Sequence, residues 1–509
     1  MAVYLKKFDA HTEYENYING SGAILPNVSI CEDTKDVHYN PEPQHDYSKD
    51  YFTMVVTRGG NIKWSGSTTT NKLSYSKDNG GTWTSANSST TISVTAGDKV
   101  LWKGTPTPQT NKGIGKFSGA TNVRYSVEGN AMSLLYGDDF KTQTSLSGKN
   151  YALYGLFRGN TNVTSAENLS LPAITLATYC YSGMFNYCTN LTTAPSVLPA
   201  TTLAIYCYQH MFIQCPSLTT APELSATTLA DWCCYQMFRD CTSLTTAPSV
   251  LPATTLANYC YGNMFYGCTS LTTTPVLPAT TLATYCYFGM FENCTSLTTA
   301  PELPATTLAD YCYQYMFSNC TSLTTVPELS ATTLATYCYS NMFSNCTSLT
   351  TAHSVLPATT LATYCYQHMF KDCTSLTTTP ELPATTVKYY CYYHMFYGCT
   401  SLTTALELPA TTLATYCYSG MFSNCTSLMT APELPAKTLV DYCYQYMFDG
   451  CTNLSSIKCL ATNINASNCT TDWVNGVATS GTFTKAASMR SWATGTSGIP
   501  SDWTVVDAA

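Results

Sequence analysis

The sequence predicts an α/β repeat solenoid, a helix plus a short strand per coil, preceded by a small antiparallel β-sandwich. Two observations predict the solenoid. Cysteines recur in pairs eight residues apart, with a period of 26 residues that becomes 27 where "PEL" is replaced by "PSVL" or "HSVL". A period of that size is one turn of a stack in which each coil buries its apolar side against its neighbours. A third observation predicts the sandwich: residues 51 to 140 alternate short β-rich runs with turn residues.

Taken in chain order, residues 1–50 form a polar N-terminal leader and 51–145 the sandwich. The sandwich strands are expected in "YFTMVV", "GNIKW", "KLSYSKDNGGTWT", "TISVTAGDKVLW" and "VRYSVEGNAMSLL". Residues 146–477 form the solenoid of eleven full coils with end caps, and 478–509 a C-terminal cap and tail. The first cap, Tyr151 to Ala173, keeps the outline of the repeat without either cysteine. In the last, Cys469 is in register with the first cysteine, but Trp473 stands for Met and Val477 for the second cysteine.

Within a coil, positions are counted from the first cysteine. The near-constant residues at −3, 0, +1, +4, +5 and +8 fall on one arc of a helix, roughly 140° wide at 100° per residue. The changing residues, at −2, +2, +3, +6 and +7, fall opposite. The segment after the second cysteine, "TSLTTAPEL", is β-branched and fits one strand of a parallel stack.

Composition excludes several functions. Only 11% of the 509 residues are charged and the formal net charge is −8, so no basic footprint exists for nucleic acid or anionic lipid. The start is too polar for a signal peptide, and no run of 18 apolar residues occurs. The expected origin is therefore a host cytoplasm, with no membrane insertion. No Ser/His/Asp set, phosphate loop or acid/base carboxylate pair is present, so no catalytic residues, cofactor or metal are assigned. The aligned Glu302, Glu328, Glu381 and Glu433 follow from repetition. Cysteines eight apart are not the close pair that zinc favours. Either free buried thiols or disulfides would suit them, and a cytoplasm keeps thiols reduced.

One column suggests binding. Position −1 is aromatic in all eleven coils: Tyr179, Tyr206, Trp232, Tyr259, Tyr285, Tyr311, Tyr337, Tyr364, Tyr390, Tyr416 and Tyr442. If the helix includes this position, the rings form an exposed stripe suited to stacking on sugars. If the helix starts at the cysteine, they tuck under the preceding turn and pack on the next coil. Beside them, Gln314, Tyr315, Gln367, His368, Tyr393 and His394 vary and could tune recognition.

The run "MFSNCTSLTTAPELPATTLA" resembles the BspA-type leucine-rich repeat, with an aromatic, a "CTSL"-like segment and a following strand. The resemblance covers Tyr151 to about Val477 and departs from the family in the first cysteine and the "YCY" triplet. It implies a curved solenoid in surface adhesion or recognition rather than a reaction. The leader "YLKKFDAHTEYENYINGSGAILPNVSICEDTKDVHYNP" resembles those of structural proteins from phages and prophages of gut bacteria, and "GIPSDWTVVDAA" has a similar character. These resemblances imply a non-enzymatic fibre or decoration protein on the virion surface, joined to other virion proteins through its leader. Its expected partner is a host-surface glycan or protein, and its expected assembly a homo-oligomer such as a trimer. A bacterial cell-surface adhesin and a purely structural spacer are the alternatives. Finally, "SKDNGGTW" (Ser76 to Trp83) resembles the Asp-box of sialidases, which is a structural turn; the arginine cluster of a sialidase is missing, since this region holds only Arg58 and Arg124.

Overall fold

The computed structural model describes residues 28–31, 36–39, 45–66, 72–489 and 492–509. The chain divides into two compact units, Met1–Lys49 and Asp50–Ala509. In the first, β1 (Val28–Cys31) pairs antiparallel with β2 (Asp36–Tyr39), and Tyr47–Lys49 make one 3-10 turn. Most residues of the proposed attachment leader lie outside those described.

The second unit opens with eight strands: β3 (Phe52–Arg58), β4 (Gly60–Gly66), β5 (Leu73–Ser76), β6 (Thr84–Ala86), β7 (Thr91–Val94), β8 (Lys99–Gly104), β9 (Gly115–Gly119) and β10 (Arg124–Asn130). They form two sheets, ordered β6-β5-β8-β3-β10 and β7-β4-β9, with antiparallel pairing. In β4 the alternation is read directly: Ile62 and Trp64 are buried while Asn61 and Lys63 face water, as a half-buried strand requires. Trp64 and Trp102 close on Phe117 at ring distances of 4.7 and 4.8 Å. After β10 comes α1 (Ser133–Tyr136). β10 also pairs in parallel with β11 (Val163–Ser165) and β12 (Leu169–Ser170) of the first solenoid coil. The sandwich sheet therefore runs into the solenoid with no linker between them.

The coils contain no helix, which corrects the α/β expectation; α1 is the one α-helix among the described residues. The true period of the Cys-to-Cys segment is four, not 3.6. Positions −1, +3 and +7 all have positive φ, as in Tyr285 (57°), Gly289 (55°) and Asn293 (63°). Positions 0, +2, +4, +6 and +8 donate to the carbonyl three residues back, as Cys286 does to Ala283 and Met290 to Tyr287. The odd positions donate instead to the next coil: Tyr285 to Asp310, Tyr287 to Cys312, Gly289 to Gln314, Phe291 to Met316 and Asn293 to Ser318. A left-handed residue every fourth step breaks any α-helical ladder and turns alternate N–H groups outward to the neighbouring coil. Helical and four-residue spacing place positions 0, +1, +4, +5 and +8 on almost the same side, so the apolar pattern cannot separate them.

The strand side is also sparser than expected. Parallel pairing is reduced to β13 (Val197–Leu198) against β14 (Glu223–Leu224) and to single bridges such as Thr255–Thr281–Thr307. The proline at +15 in most coils supplies no N–H. Longer pairing returns only after the last full coil, where β15 (Ser456–Cys459), β16 (Thr482–Lys485) and β17 (Thr504–Asp507) run parallel.

Columns of identical residues fill the interior. The +5 phenylalanines, Phe185 to Phe448, stack nearly parallel at 5.4 to 5.8 Å, and the +4 methionines beside them are fully buried. Burial of each such side chain contributes roughly 1.5–3 kcal/mol. Every cysteine whose side chain is described is a free thiol, buried. The second of each pair donates its S–H to the +5 carbonyl of the coil before it, as Cys294 does to Phe265 at 3.2 Å. The thiol thus ties coils together by a hydrogen bond that a disulfide could not make.

Candidate functional site

The −1 aromatics are neither the exposed stripe nor a buried core; all eleven are half-buried. Each ring lies on the next. Tyr259, Tyr285 and Tyr311 stack at 4.4 and 4.3 Å, Tyr337 and Tyr364 at 4.3 Å, and Tyr390, Tyr416 and Tyr442 at 4.5 and 4.4 Å. Within the column the ring faces are covered by neighbouring rings, so ring edges and hydroxyls are what the column presents. Burial and the neighbouring phenols push Tyr337 up to about 12 and raise Tyr285 further still. A bulky residue at positive φ costs about 1–2 kcal/mol, and the stack offsets this at roughly 0.5–1.5 kcal/mol per pair on top of the area it covers.

The varied residues lie on the same turn face, all half-buried: Gln314, Tyr315, Gln367, His368, Tyr393 and His394. The structure brings the last three together. His368 lies 5.4 Å from both Tyr393 and His394, and Tyr393 stacks on His394 at 4.0 Å. Both histidines are packed against these rings and half-buried. His394 reaches over Gly420, where a Cβ would come within 2.0 Å of its ring. Burial pushes His368 down to about 3 and His394 to about 4, so both rings are neutral at physiological pH. Gln314 and Tyr315 hold the same two positions, +2 and +3, on the same face, two coils before His368 and three before His394.

A second cluster on this face was missed by the sequence reading. Arg239 covers the ring of Tyr266 at 4.5 Å, and the half-buried Glu292 reaches back over Gly289. Burial raises the Glu292 carboxyl to about 7, against the partial pull of Arg239. Neither side chain belongs to the repeat, which is the signal that could have marked them. Elsewhere, Asp78 accepts hydrogen bonds from Ser76 and Thr82, which closes the β5–β6 turn as the Asp-box predicts. Trp83 packs at 5.1 Å from Tyr51. Among the described residues, no group of three or more His, Cys, Asp or Glu side chains is placed to hold a metal ion, and no helix is long and apolar enough to cross a membrane.

Stacked coils with a constant interior and a variable turn face define a repeat solenoid. The model of the BspA type leucine rich repeat region matches residues 236–377 and 363–471, in six copies. Among solved structures, a leucine-rich repeat protein from Bacteroides ovatus ATCC 8483 is similar at 18% identity and a TM-score of 0.41, over 70% of this chain and 87% of that one. No curated protein matches the sequence.

Proposed function

We propose that the solenoid is a non-enzymatic adhesion surface, displayed on a phage particle as a fibre or decoration protein and directed at a host-surface glycan or protein. The observation that carries the adhesive part is the division of each coil into a fixed interior and a turn face whose side chains change from coil to coil while the backbone does not. Such a face presents many related contacts at one spacing, and weak contacts made together gain strength through effective concentration. The phage setting is supported by the resemblance of the leader. A bacterial surface adhesin is the second reading, favoured by the match to BspA-type repeats. Mass spectrometry of purified particles, with copy number taken against the major capsid protein, tests the setting. Many copies per particle are expected; absence from particles, with the protein on cell envelopes, gives the case to the bacterial adhesin. Loss of host attachment on deleting coils is the expected outcome for adhesion, and unchanged attachment would leave only a spacer.

A further inference from the structure

We propose that the pocket where the sandwich meets the first coil binds an acidic saccharide, its carboxylate or sulfate held by Lys112, Lys116 and Arg158 and its ring laid against Tyr154. This rests on the adhesion reading for the saccharide; the anion preference stands on the pocket itself. The cavity measures about 430 Å³ and is lined by Ser65, Asn111, Lys112, Lys116, Tyr154 and Arg158 among others. That volume falls in the range of small-molecule sites, roughly 300–1,000 Å³.

Three separate elements bring the cations to one mouth. Lys116 lies on β9 opposite Ser65 of β4. Lys112 belongs to the loop before β9, which is seated on the capping coil: a side chain at Gly113 would come within 2.9 Å of the Tyr151 and Tyr154 carbonyls. Arg158 stands at +6 of that coil, and its stem folds back over Gly155, 3.5 Å from where a Cβ would be. No carboxylate lines the pocket. Among the described residues, none of the three makes an ion pair. In a chain with 23 basic and 31 acidic residues, three cations at one mouth with no carboxylate in its lining make a local positive charge that an anion would complement. Arg158 offers the fork geometry that carboxylate and sulfate fit, and Lys112 and Lys116 act as point charges. Tyr154 meets Tyr151 and Tyr179 only at right angles and lies outside the stack.

The test is calorimetric binding to the full chain at low and raised salt, with oligogalacturonate, a sulfated dextran oligosaccharide, neutral maltohexaose and inorganic sulfate as probes. Expected are binding of an acidic oligosaccharide, its weakening by salt, little binding of maltohexaose, and a loss of at least about tenfold in K116A and R158A with partial recovery in R158K. The tighter of the two acidic probes identifies carboxylate or sulfate as the group held. K63A, on the exposed side of β4, leaves binding unchanged. The proposal is overturned by no acidic binding at low salt, by equal binding of maltohexaose, by inorganic sulfate binding as well as the saccharides, or by a K112A/K116A/R158A variant that binds normally. A lower unfolding midpoint with normal binding would likewise reduce the three cations to a structural role. Acidic binding lost in these variants while host attachment survives deletion of the coils would keep the pocket and remove the adhesion reading.

Discussion

Asn319 stands at +7 of its coil with φ of +60°, in a conformation that glycine and asparagine tolerate and most residues do not. N319A is expected to lower stability by about 1 kcal/mol and N319G to leave it unchanged or raise it, read as urea midpoints; equal effects would mean that φ is not what selects the residue. The thiols make a second prediction. Burial pushes Cys320 and Cys365 up to about 12. A thiol whose folded pKa is raised contributes stability that is complete below its unfolded value near 9 and is lost as pH rises beyond it. The urea midpoint should therefore fall between pH 9 and 11, and a thiol reagent at pH 8 should label the native chain only as fast as it unfolds. Glu292 behaves in the same sense at lower pH: its carboxyl is raised to about 7, so stability falls as pH rises from about 4.5 to 7. E292Q should raise the midpoint at pH 8 and leave it alone at pH 4.

Each coil joins two elements with different tolerances. The turn segment has a strict four-residue step in which nearly every N–H is committed, either three residues back or to the next coil. The segment after the proline already varies in length, since three coils carry one more residue there. One residue inserted after Pro301 is expected to shift the melting temperature by a few degrees at most, whereas one inserted between Gly289 and Met290 should remove cooperative unfolding of the region. Equal damage from both would deny the distinction. The same contrast explains what could be read from the sequence. The stacked repeat, its interior residues and the antiparallel sheet region before it were legible because apolar periodicity records burial. The turn segment was read as helix because burial alone does not report φ. The signal lay in the residue types at +7, where Asp240, Gly267, Asn293, Asn319, Asn345, Asp372, Gly398, Asn424 and Gly450 are small or left-handed formers in nine of eleven coils. The aromatic column was visible, but its fit between exposure and burial was not, because stacking between coils depends on their separation. Arg239 and Glu292 became a cluster only when coils distant in sequence were laid side by side.

At the scale of the whole molecule, both ends of the stack are closed by chain that is not repeat. At the C-terminal end, Trp473 fills the interior and bonds through its indole to Gly498, while the N–H groups of Asp472 and Val474 find Ser497 and Thr496. At the N-terminal end, the carbonyl of Leu156 receives the N–H of Phe117 from β9. Removal of 52 residues, Cys286 through Tyr337, joins like to like and should leave a folded protein with an unfolding free energy lowered by about two coils' share; removal of the sandwich, which uncovers a coil end, should instead cause aggregation, read by light scattering. The direction of the coil-to-coil bonds has a further result. On the turn side all five N–H groups of a coil point toward the C-terminal end and the carbonyls they meet point back. Each peptide carries a dipole of about 3.5 D, and on this side they add along the axis instead of cancelling. The stack is electrically polar in the sense opposite to an α-helix, positive at its C-terminal end and negative at its start. Lys112, Lys116 and Arg158 stand at that negative end, where the field of the backbone favours cations.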